Sequence, residues 1–118
     1  MIILEGGRDM AMRIFISGPV SDVVARSGYE ACRVGFANAE RVLRIRYPDA
    51  VVLNPMDLCD KDWGWLRCMI KCIRSLHTCD TMVQLNGWED SRGARVEFWI
   101  GKHFGLRIME YSNGMIYG

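Results

Sequence analysis

The run Ser91-Arg92-Gly93-Ala94-Arg95-Val96-Glu97 sets a hydroxyl and a glycine just ahead of a single carboxylate. A carboxylate on the apolar stripe of a helix is out of its usual solvated place, and the free N–H groups at the start of the same helix can receive an anion such as a phosphate. Ala94, Glu97, Phe98 and Gly101 fall at i, i+3, i+4 and i+7, which puts Glu97 on a stripe of small and apolar residues facing the sheet. Periodicity alone leaves two readings open. Either Glu97 works in a site, or it tilts outward near the helix start, where the macrodipole favours any acid by about 0.3–1 kcal/mol. Ser91 likewise fits an anion contact shared with Gly93, or a plain N-cap. The turn is no P-loop, because the lysine and the fixed glycine spacing are missing.

Other residues with chemistry to offer are scattered. Trp88, in the loop from Asn86 to Gly93, can stack on a flat ligand or serve as a subunit contact. Asp80, directly after Cys79, reads as a structural cap joining helix to strand. Cys32, Cys59, Cys68, Cys72 and Cys79 form an odd set without C-x-x-C pairs, so reduced, mostly buried thiols are expected. Cys68 and Cys72 lie one helical turn apart and could share a metal with His77, but soft-metal sites carry tighter spacings and no metal is expected. His77 and His103 fall late in helices, where an imidazolium suits the dipole, and neither is given a catalytic role. Trp63 and Trp65 read as packing or interface residues.

These side chains must be held by elements that the hydrophobic pattern predicts in alternation. Strands are expected at 13–17, 50–55, 81–85 and 106–110, each a short apolar run. Helices are expected over 29–46, where Cys32, Phe36, Ala39 and Leu43 share a face, over 63–76, with Asp62 as cap and Leu66, Met69, Ile70 and Ile73 as stripe, and over 93–104. The tail Tyr111 to Gly118 can add an edge hairpin. Alternation of this kind implies an α/β, flavodoxin-like three-layer fold with a mainly parallel sheet of four to five strands. Ligands then bind beyond the carboxyl ends of the strands, which points to Ser17 and Gly18, to Asn54, and to the 86–93 loop.

The 118 residues, half hydrophobic and a quarter charged, suit one domain over 13–118. Residues 1–12 are expected to be an N-terminal extension and a gene-model artefact, with Met10 and Met12 as alternative starts. A formal charge of +1 creates no field that would draw nucleic acid or a membrane surface. No run reaches the roughly 18 apolar residues of a membrane span, and no signal peptide is evident, so a cytoplasmic protein with a small-molecule partner is expected.

The segments "RIFISGP" and "CDTMVQLNGWEDSRGARVE", with the spacing S-x-G-x-x-x-E from Ser91 to Glu97, resemble the small phage and bacterial DUF4406 proteins. These belong to the nucleoside 2-deoxyribosyltransferase-like superfamily, which includes 2'-deoxynucleoside 5'-phosphate N-hydrolases. The resemblance implies a nucleophilic Glu97 that attacks the anomeric carbon of a deoxyribose, after which water or a second base resolves the glycosyl-enzyme, without a cofactor. Serine at position 91 implies a 5'-monophosphate substrate, with Ser17 and Gly18 as further donors to the phosphate. A helix N-terminus near Glu97 is expected to keep it ionised. Two departures stand out. Phe15 occupies the place of a tyrosine whose hydroxyl touches the nucleophile, and Cys72 that of an aspartate that assists departure of the base.

The sequence therefore supports two functions: an N-glycosidic hydrolase or deoxyribosyltransferase, or a non-catalytic nucleotide-binding protein on the same fold. A homo-oligomer, with a dimer as its smallest unit, is expected from Trp63, Trp65, Trp88 and the apolar tail.

Overall fold

A computed structural model describes residues 11–118; of the expected extension over 1–12, all but Ala11 and Met12 lie outside the described residues. Met12 is joined to the domain, since its carbonyl accepts from the Val51 N–H and its side chain packs on the core. The elements in order are β1 (Arg13–Ser17), α1 (Ser21–Ser27), α2 (Tyr29–Arg46), β2 (Val51–Leu53), α3 (Pro55–Leu58) and α4 (Trp65–Leu76). There follow β3 (Thr81–Leu85), a 3-10 turn (Trp88–Asp90), α5 (Arg92–His103), β4 (Arg107–Ser112) and β5 (Met115–Tyr117).

The strands lie in the order β2-β1-β3-β4-β5. The first four run parallel, and β5 returns antiparallel to β4. Asn113 and Gly114, both at positive φ, make the tight turn of that hairpin. The chain reverses its direction of winding between β1 and β3, which opens a crevice at their carboxyl ends.

Alternation along the strands divides the interior. Ile14 and Ile16 of β1 and Val83 and Leu85 of β3 pack with Cys32, Phe36, Ala39 and Leu43 of α2 on one face. Phe15 and Met82 point the other way, against Cys72 and Leu76 of α4, with Cys79 and Leu106. Ser17, Gln84 and Glu97 are buried polar residues, and Ser17 and Gln84 continue the Phe15 and Met82 side of their strands.

Several expectations need correction. The stretch after β1 forms α1, and the run 50–55 contains only a three-residue edge strand, with Val51 exposed and Pro55 beginning α3. Helix α4 starts at Trp65 and has Gly64, not Asp62, in the N-cap position. It buries Met69, Cys72 and Leu76, whereas Leu66 is 65% and Ile70 46% exposed. Apolar residues cover so much of this helix that periodicity does not choose a face; contact with the sheet does. No helix among the described residues is long and apolar enough to cross a membrane.

Candidate active site

Beyond the end of β1 lies a cavity of about 420 Å³, walled among others by Gly18, Tyr29, Trp63, Trp65, Ser91 and Glu97. Glu97 is only 5% exposed although its helix is otherwise half in solvent. The small neighbours Ala94 and Gly101, buried on the same stripe, let α5 lie close to the sheet and carry the carboxylate inward. The outward-tilted alternative for Glu97 is therefore excluded.

The Ser17 hydroxyl donates to Glu97 Oε1 at 2.6 Å. The Cys72 thiol lines the cavity together with Glu97. Burial dominates and raises the Glu97 pKa to about 7, with Ser17 and Cys72 opposing it. The expectation that the helix start keeps Glu97 ionised fails because Glu97 lies beyond the first turn of α5, where the dipole's influence has faded. Burial also pushes the Cys72 thiol up to about 12, helped by the Glu97 charge. Cys72 thus keeps its proton at neutral pH.

Ser91 caps α5, its Oγ accepting from the Ala94 N–H at 3.3 Å, and also lines the cavity. The two readings of Ser91 are compatible, since a hydroxyl that accepts from the backbone retains its own proton to donate. Gly93 lies beneath Trp65; a Cβ there would come within 3.2 Å of Met69 Sδ and 3.5 Å of Trp65 Nε1. Gly18 is similarly constrained, a Cβ falling 2.9 Å from that of Leu85. Trp63 and Trp65 each carry a guanidinium over the ring, Arg67 at 4.1 Å and Arg92 at 4.0 Å from the ring centroids.

Other expected site residues are placed elsewhere. Ser17 is fully buried and spends its one proton on Glu97, so it serves the carboxylate and not a phosphate. Asn54 is committed to structure: its oxygen caps α3 through the Met56 N–H, and its amide donates to Glu40. Trp88 packs on Phe98 with ring centroids 4.7 Å apart, outside the cavity lining. Phe15 is fully buried in the Cys72 cluster. Asp80 accepts from the Arg13 N–H and from the Thr81 hydroxyl at the far, amino end of β3, the capping role expected of it.

Sequence reasoning missed Tyr29, Trp63 and Trp65 as cavity walls. A signal was there, because Trp63-Gly64-Trp65 follows the loop after β2, at the carboxyl end of a parallel strand. The cysteines also differ from expectation. Cys59 and Cys68 form a disulfide, because the turn after α3 doubles back onto the first turn of α4, while Cys32, Cys72 and Cys79 stay free. Cys72 Sγ lies 3.9 Å from both paired sulfurs. His77 takes no part, since it packs edge-on against Phe104.

The family model described as a domain of unknown function, DUF4406, matches residues 12–110. The chain belongs to this family. Among solved structures, the DUF4406 chain is similar to a 2-desoxiribosyltransferase from Leishmania mexicana, at 24% identity and a TM-score of 0.60. The match covers 86% of the DUF4406 chain and 64% of the other, so this chain spans less than two thirds of that protein's length. The shared feature is the fold. No curated protein matches the chain.

Proposed function

We propose that this DUF4406 protein breaks the N-glycosidic bond of a 2'-deoxynucleoside 5'-monophosphate, with Glu97 as nucleophile. The observation that carries this reading is a single one: a carboxylate 5% exposed, held by the Ser17 hydroxyl, on the wall of a cavity large enough for a small ligand. A Glu97 oxygen attacks C1' of the sugar, and the bonding pair of the C1'–N bond leaves with the base. Water, or the nitrogen of a second base, then displaces Glu97 from C1'. The fold likeness to a protein named as a 2-desoxiribosyltransferase supports this chemistry.

Substrate placement follows from the walls. Ser91 and the free N–H groups at the start of α5 suit the 5'-phosphate, and the indoles of Trp63 and Trp65 suit the flat base. The departing base needs a proton that Cys72 holds too tightly to give, so solvent in the cavity supplies it.

A second reading, nucleotide binding without turnover, is favoured by one feature: at neutral pH the buried Glu97 is only about half ionised. Incubation with each of the four deoxynucleoside monophosphates, with chromatography for free base, separates the two. Release of base by the wild type and not by Glu97→Gln is expected; saturable binding without any release favours the second reading.

A further inference from the structure

The cavity wall is a short piece of chain closed by a covalent bond. Asp60, Lys61, Trp63, Gly64 and Trp65 line the cavity, and all lie between the paired Cys59 and Cys68. Trp65 to Cys68 begin α4 and Arg92 stacks on Trp65, but among the described residues few bonds fasten the chain before them. Its backbone makes one turn bond, Trp63 N–H to Asp60 carbonyl, and Cys68 N–H bonds back to the Gly64 carbonyl. Lys61 rests over the Tyr29 ring at 5.3 Å. Both paired sulfurs belong to residues that also line the cavity, so a reagent that enters the cavity reaches the bond.

We propose that the Cys59–Cys68 disulfide is a redox-modifiable clasp on the ligand cavity, opened by a dithiol that enters through the cavity and closed by exchange with a small-molecule disulfide, which takes up the two electrons and leaves as two thiols. In opening, one dithiol thiolate attacks a sulfur of the pair and displaces the other as thiolate. The second thiol of the reagent then displaces the first protein sulfur, leaving a cyclic disulfide on the reagent and two cysteine thiols on the protein. The electron balance is one dithiol oxidised for one protein disulfide reduced. Cys72, although 3.9 Å from both sulfurs, does not scramble the pair, because burial keeps it protonated and a thiol is not the attacking species.

Two consequences follow from linkage. Opening frees the segment that carries Trp63 and Trp65 and so weakens whatever those indoles hold, and a ligand in the cavity covers the bond and slows its reduction. The second consequence, and the weakened binding, rest on the proposed deoxynucleotide site; the clasp itself does not.

The test uses the full chain purified without reductant, with dithiothreitol as the dithiol. Alkylation under denaturing conditions should find three free thiols before reduction and five after. Five free thiols before reduction, or a stoichiometric thiophilic metal on the three clustered cysteines, overturns the proposal. Trypsin should cut after Lys61 several-fold faster in the reduced protein, and equally fast in Cys59→Ser and Cys68→Ser whether reduced or not. Unchanged cleavage on reduction overturns the clasp. Binding of a deoxynucleoside monophosphate should weaken about fivefold or more on reduction and in both variants. Tight binding in every state removes the clasp's control of the site. If no nucleotide binds in either state while cleavage responds as expected, the clasp stands and the proposed substrate falls.

Discussion

The two faces of one sheet behave differently. Against α2, the interior is mainly apolar, with Ile14, Ile16, Phe36, Leu43 and Val83 almost wholly enclosed, and its buried polar residues Asn54 and Thr81 are hydrogen-bonded to Glu40 and Asp80. Against α4 and α5, the same strands present Phe15 and Met82 but also Ser17 and Gln84, and the helices answer with Cys72 and Glu97. Gln84 Nε2 is buried with no hydrogen-bond partner among the described residues. The first face is built from apolar contacts and from polar groups that find partners. The second gives some of that up to keep a carboxylate out of water, which is where chemistry and its cost are found together.

The largest expected effect separates the faces by activity. Glu97→Gln should lower base release by about 10⁴-fold or more, as removal of a nucleophile does elsewhere, with nucleotide binding retained. Turnover near that of the wild type in a quantitative base-release assay would dismiss Glu97 as nucleophile. On the opposite face, Phe36→Ala should cost about 3–5 kcal/mol by chemical denaturation, while the molecules still folded keep their activity.

A third outcome follows from the charge on Glu97. Its folded pKa of about 7 exceeds the ordinary 4.5, so the folded state binds more protons than the unfolded state between those values. Stability is then fullest below pH 4.5 as far as this group is concerned, and falls by about 3 kcal/mol as pH rises through 7. Glu97→Gln should abolish that slope and be the more stable protein at pH 8, with little difference at pH 5. A parallel loss in both proteins would show that other groups set the pH dependence. Base release should rise with pH through about 7, as the nucleophile ionises.

Smaller effects probe the edge of the site. Ser91→Asp should weaken monophosphates relative to free nucleosides by about tenfold, since it sets a charge against the phosphate while leaving α5 capped. Equal weakening of both ligands in a titration would remove Ser91 from the phosphate. The smallest concerns assembly. Leu66, Ile70 and Trp99 are 65%, 46% and 70% exposed on α4 and α5, and we propose that a second copy covers such residues in a dimer. Light scattering at micromolar concentration should give twice the chain mass, and a strictly monomeric mass would count against it.

Much of this architecture was legible in the residues. The α2 stripe of Cys32, Phe36, Ala39 and Leu43 is unambiguous at 3.6-residue spacing, and the helix runs over Tyr29–Arg46 as the pattern predicts. Strand β3 and the terminal hairpin follow from equally local signals, an apolar run and an Asn-Gly turn. The burial of Glu97 was half legible, because its stripe pointed inward while its charge argued for the surface.

What the tertiary structure alone decided is which groups meet. Local pattern cannot tell that Ser17 spends its proton on a residue 80 positions away. It cannot tell that Asn54 is used up by Glu40 and Met56, or that α4 turns Cys72 inward and Leu66 outward. The pairing of Cys59 with Cys68 likewise depends on a turn that brings two half-buried thiols together across nine positions. Periodicity is set by backbone geometry within one element, and it survives whatever the neighbours do. Contacts are chosen by how elements pack, where a few degrees of helix rotation exchange one apolar stripe for the next and reassign every donor and acceptor along it.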